Sequence, residues 1–88
     1  MQATKSFKIG EYAVGGIINV QINGKVIQVK ALDYYSKKEV MSGSAMADEP
    51  NAHRKLFMFL NELTSSYYAD KVLNWIKSKV EIKDMYAW

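Results

Sequence analysis

Ile17-Ile18-Asn19-Val20-Gln21-Ile22, then Asn23-Gly24, then Lys25-Val26-Ile27-Gln28-Val29-Lys30-Ala31 is the stretch that decides the fold. Its apolar residues recur with the period of two that marks a strand half-buried in a sheet. Asn-Gly accepts positive φ at both central positions of a type I′ turn, which makes it a strong short-range hairpin signal. A two-residue loop at Asn23-Gly24 predicts Ile22 opposite Lys25, Val20 opposite Ile27 and Ile18 opposite Val29 on the core face. The other face then pairs Gln21 with Val26, Asn19 with Gln28 and Ile17 with Lys30. Leu32 and Tyr34 extend that outer face. Asp33 falls on the core parity, so the strand is expected to bend, bulge or leave the sheet there.

Working outward, Ser6-Phe7-Lys8-Ile9 reads as a first strand with Phe7 and Ile9 on one side and Lys8 on the other. Gly10 breaks the phase, since Tyr12 and Val14 continue on the opposite parity, and a bulge there is the simplest reading. Gly15-Gly16 supplies the next turn. Ser36-Lys37-Lys38 is a polar turn, and Glu39 to Ala45 is a fourth strand interrupted by Gly43 and two serines.

Pro50, the only proline, divides the chain: before it the apolar period is two, after it helical. Asp48-Glu49-Pro50-Asn51 predicts a helix start, with a capping acid and a first-turn proline. Ala52, Leu56, Phe59, Leu60, Leu63 and Tyr67 fall on one helical face. Thr64-Ser65-Ser66 either interrupts the helix or passes through it. Ala69, Val72, Leu73, Ile76 and Val80 form a second stripe. The fold class is therefore α+β: an antiparallel sheet of three to four strands (1–46), then one long or two consecutive helices (48–80) on one sheet face, and a tail (81–88). One domain is expected from 88 residues. Such a sheet leaves its other face in water.

Apolar residues make up 49% and charged residues 24%, a globular rather than a disordered composition. The absence of cysteine excludes disulfides and thiolate metal sites and suits a reducing, cytoplasmic setting. No apolar run approaches the roughly 20 residues of a membrane span, and Met1 to Lys5 is not read as a secretory leader. The net charge is +3, unevenly spread. Residues 1–38 hold six lysines and two acids, a balance of +4, and the remainder holds six basic residues and seven acids, a balance of −1. The basic excess thus lies on the predicted sheet.

Catalytic constellations are nearly absent, and no enzyme, cofactor or metal is expected. His53 is the only histidine and reads as a solvated helix residue. One histidine without cysteine does not build a usual zinc site. Gly15-Gly16 lacks the Lys-Ser/Thr of a phosphate loop. Glu11 and Asp33 read as counter-charges to nearby lysines.

The outer sheet face is the functional candidate. Lys8, Asn19, Gln21, Gln28, Lys30 and Tyr34 are expected to project together without an acid among them, with Lys37 and Lys38 at the rim. Lysines that follow phosphates and an aromatic face on which a base stacks are what single-stranded nucleic acid requires. The bland alternative is the wet face of a small sheet. Among the helical aromatics, Phe57, Tyr68 and Trp75 fall off the main apolar stripes, which suggests a homodimer interface that Tyr86 and Trp88 would join.

Phe7-Lys8-Ile9-Gly10, the hairpin with its Gly-Lys turn, Ile27-Gln28-Val29-Lys30, Tyr34-Tyr35 and the helix Leu56-Phe57-Met58-Phe59-Leu60-Asn61-Glu62-Leu63 together resemble the positive-cofactor-four and Pur-alpha type of module. That resemblance implies a curved antiparallel sheet followed by a helix, dimerisation through helices, and single-stranded DNA or RNA on the sheet. The first functional expectation is therefore a non-enzymatic homodimer binding single-stranded nucleic acid on its open face. The alternative is a protein-interaction module, a small regulator or inhibitor of phage type, using the helical aromatics and the tail.

Overall fold

A computed structural model describes residues 2–83. Four strands, β1 (Gln2–Lys8), β2 (Gly16–Asn23), β3 (Val26–Asp33) and β4 (Glu39–Met46), form one antiparallel sheet in the order β1-β2-β3-β4. Helices α1 (Ala52–Leu63) and α2 (Ser66–Lys79) follow, giving the expected α+β fold. Consecutive strands pair with their neighbours through short loops, the simplest connectivity a sheet can have. No helix among the described residues is long and apolar enough to cross a membrane.

The hairpin forms, but in a different register. Asn23 pairs with Val26, Ile22 with Ile27, Val20 with Val29 and Ile18 with Ala31. The two turn residues are Gly24 and Lys25. Gly24 has φ of 64° and Lys25 is not in the left-handed region, which fits a II′ turn with glycine first rather than I′. The expected register would have placed Lys25 opposite Ile22 on the core face. The observed one sets aliphatic side chains opposite one another along that face and frees Lys25 to meet Asp48 at 3.4 Å. A shift of two residues preserves parity, so the assignment of faces stands.

β1 starts earlier than expected and pairs along its whole length, from Gln2 with Asn23 to Lys8 with Ile17. The phase break at Gly10 is a 3₁₀ turn over Gly10–Tyr12, with Gly10 at φ of 71°. Asp33 ends β3, and the register slips between Ala31 and Leu32 where β4 begins.

The helical start also differs. α1 begins at Ala52 after Asn51, which makes no side-chain capping bond. Asp48, Glu49 and Pro50 form a turn before it, in which the Glu49 carboxylate accepts a hydrogen bond from the Met46 N–H at 2.8 Å. That bond holds the Glu49 carboxyl below its ordinary pKa. The helix breaks at Thr64-Ser65, and the break rotates the second segment: Tyr67, expected on the buried stripe, is 62% exposed, while Tyr68 is half-buried.

The core lies between the sheet and the helices. Ile18, Val20, Ile22, Ile27, Val29 and Ala31 meet Leu56, Leu60, Leu63, Ala69, Val72, Leu73 and Ile76, all buried. Each large aliphatic side chain so buried stabilises the fold by about 1.5–3 kcal/mol before entropy is counted. The loop between β1 and β2 clasps the end of α1: Val14 N–H donates to Leu63 O at 2.8 Å, and the Thr64 hydroxyl donates to Tyr12 O.

Candidate nucleic-acid interface

The pairing places four rows of side chains across the face opposite the helices. Thr4, Gln21, Gln28 and Ser44 form one; Ser6, Asn19, Lys30 and Ser42 the next; Lys8, Ile17, Leu32 and Glu39 a third; Gln2, Asn23, Val26 and Met46 close the hairpin end. Two rows are thus almost wholly amide and hydroxyl. Thr4, Ser6, Ser42 and Ser44 are contributors the sequence reading missed. The parity of β1 and β4 has no reference until these strands pair with the hairpin.

The expected site residues divide. Gln28 is exposed, Gln21 and Lys30 are half-buried, and Asn19 is only 9% exposed. Asn19 Nδ2 donates to Ser6 Oγ at 2.8 Å, so this amide ties β2 to β1 more than it faces solvent. The set is also not free of acids. Lys30 Nζ lies 3.8 Å from a Glu39 carboxylate oxygen, an ion pair across β3 and β4.

At the loop end of the sheet, Lys8 and Tyr34 come together. They line a cleft of about 660 Å³ with Ile9, Gly10, Glu11, Ala13, Gly15, Gly16 and Tyr35. Its walls are the turn between β1 and β2 and the turn between β3 and β4. Two glycines allow that approach. A Cβ on Gly15 would stand 2.6 Å from Leu32 O, and one on Gly16 would meet the Tyr34 side chain. Tyr34 N–H donates to Gly15 O at 2.8 Å.

The second wall is built by Asp33. Its carboxylate accepts the N–H of Ser36 at 2.8 Å and of Tyr35 at 3.0 Å, and these bonds hold its pKa below the ordinary value. Lys37, at φ of 64°, folds back so that Nζ stands 5.1 Å from the centre of the Tyr34 ring and donates to Tyr34 O. Lys38 is exposed beside it. Tyr35 is 89% exposed and meets Tyr34 edge-on at 5.3 Å. As a site residue Tyr35 was missed, because strand parity says nothing about a side chain in a turn.

The arrangement offers two tyrosine rings, lysine charge on both walls and adjoining rows of amides and hydroxyls. Among the described residues no cluster of histidine, aspartate and glutamate is disposed to hold a metal.

The helical aromatics named for an interface are partly used by the fold. Trp75 meets Phe7 edge-on at 6.1 Å, Tyr68 meets Tyr12 at 5.7 Å, and Phe57 packs against the core; all three are half-buried. Tyr86 and Trp88 lie outside the described residues. No family model matches the chain, and no curated protein or solved structure matches it either.

Proposed function

We propose that this protein is a non-enzymatic homodimer that binds single-stranded DNA or RNA across the open face of its sheet, in the cytoplasm. One observation carries the reading. Tyr34 and the protruding Tyr35 stand at the end of the polar rows, with Lys8 on one side and Lys37 and Lys38 on the other. A base stacks on the exposed ring, the lysines take flanking phosphates, and Gln21, Gln28 and the row hydroxyls meet base edges or sugars. The cysteine-free composition and the likeness to the positive-cofactor-four and Pur-alpha type of module support the same reading.

Fluorescence anisotropy with labelled oligothymidine and oligouridine tests it. Affinity is expected to fall with salt at a log–log slope of about −0.7 per phosphate contact. Lys30→Glu combined with Lys37→Glu is expected to remove binding while leaving the circular dichroism spectrum unchanged. Absence of binding by the unaltered protein at low salt overturns the proposal.

A further inference from the structure

The open face of the sheet is poor in charge and rich in groups that both donate and accept hydrogen bonds. Lys30 is the one charged side chain in its two middle rows, and Glu39 meets it at 3.8 Å. Asn19 and Ser6 bond each other. Thr4, Gln28, Ser42 and Ser44 are exposed, and among the described residues their side chains make no hydrogen bond. The face is also a trough. Ile17 and Asn19, on β2, are 2% and 9% exposed although they point away from the helices. Side chains of the flanking strands therefore stand above β2, and a strand of nucleic acid seated there displaces water from the hydroxyls on both sides.

We infer that the single strand this face takes is RNA, and that the hydroxyl and amide rows recognise the ribose 2′-OH. The inference rests on the proposed binding of single-stranded nucleic acid and decides between its two forms. A face that held DNA would depend on phosphate contacts, for which the middle rows supply one lysine, itself paired. Deoxyribose has no 2′-OH, so laying it over Thr4, Ser42 and Ser44 removes their water without replacing it. A polar group covered without a partner costs more than a bond made in its place returns. Ribose brings one further hydroxyl per nucleotide, donor and acceptor at once, as the hydroxyl and amide side chains are. Gln28, between Gln21 and Ser44 in its row, both donates and accepts, so it meets that hydroxyl in either sense. Lys8, Lys37 and Lys38 at the loop end take phosphates from either nucleic acid and do not discriminate.

Fluorescence anisotropy of oligouridine against oligodeoxyuridine of equal length isolates the 2′-OH. The RNA is expected to bind roughly tenfold tighter. That ratio is expected to hold constant as salt weakens both affinities, because the discriminating contact is uncharged. 2′-O-methyl oligouridine, which keeps the oxygen and loses the donor, is expected to bind like the DNA. Thr4→Val combined with Ser44→Ala removes a hydroxyl from each end of one row at exposed positions; the ratio is expected to fall towards one with the circular dichroism spectrum unchanged. Binding of neither strand overturns the proposed function and this inference with it. Equal affinities, or tighter binding of the DNA, overturn the inference and leave the broader reading standing. A preference that survives the double substitution, that salt abolishes, or that the 2′-O-methyl strand retains overturns recognition of the 2′-OH by these rows.

Discussion

Tyr34 lies across Gly16 so closely that a β-carbon on the glycine would stand 2.9 Å from the tyrosine's own. The aromatic wall of the cleft thus rests on the absence of a side chain in the adjacent strand. Gly16 also has φ of 111°, which side-chain-bearing residues rarely adopt. Gly16→Ala is expected to displace Tyr34 and to cost about 1–3 kcal/mol from backbone strain alone. Urea denaturation measures the stability loss. Oligonucleotide affinity should fall in the same variant under conditions where it remains folded.

Tyr35 provides the opposite case, a side chain that the fold scarcely uses. Its ring is almost wholly exposed, so Tyr35→Ala should leave the melting temperature unchanged. If a base stacks there, affinity for oligothymidine falls by about 1–3 kcal/mol, roughly 5- to 150-fold. Equal affinities in the two proteins would remove Tyr35 from the site.

The turn that presents Tyr35 is expected to loosen in acid. The N–H groups of Ser36 and Tyr35, with a smaller contribution from Lys37, favour the ionised Asp33 carboxylate and lower its pKa from the ordinary 3.8. A lowered folded-state pKa means the contribution is complete above the ordinary value and is lost as pH falls through the lowered one. The amide resonances of Tyr35 and Ser36 should therefore titrate below pH 3.8. Asp33→Ala should abolish that step and Asp33→Asn should keep part of the turn. Titration at or above the ordinary value would contradict this account.

The hairpin register makes a distinction between neighbours. Asn23 is a strand residue paired with Val26, whereas Gly24 holds the positive φ. Asn23→Thr is expected to be nearly neutral. Gly24→Ala meets no steric obstacle, since nothing lies within 4 Å of the added carbon, yet it should cost about 1–2 kcal/mol for the left-handed backbone. Chemical denaturation of both variants checks the order; the opposite order would restore the turn centred on Asn23-Gly24.

What the sequence made legible follows from which signals are local. Alternation in Ile18-Asn19-Val20-Gln21-Ile22 reports faces, and faces survive a register shift of two. Register itself depended on keeping Lys25 off the core face, a tertiary matter that a turn dipeptide does not report. The helical stripe misplaced Tyr67 because a break at Thr64-Ser65 resets the phase by an amount no periodicity reveals. The cleft was least legible. Parity places Lys8 and Tyr34 on one face, but Gly10, Gly15, Gly16 and Tyr35 join them only because two loops far apart in sequence meet at one end of the sheet.

The clasp between Val14 and Leu63 also bears on the order in which the chain folds. Each strand pair closes over a short loop, whereas this bond joins residues about fifty positions apart and carries the larger closure cost. Local hairpins are therefore expected to form early, with the helical layer docking afterwards. During synthesis the four strands are made before the helices, and Ile18, Val20, Ile27 and Val29 stay uncovered until α1 and α2 dock. The interval before the clasp closes is the stage at which this protein is most exposed to misassembly, and destabilising the Thr64–Tyr12 contact would lengthen it.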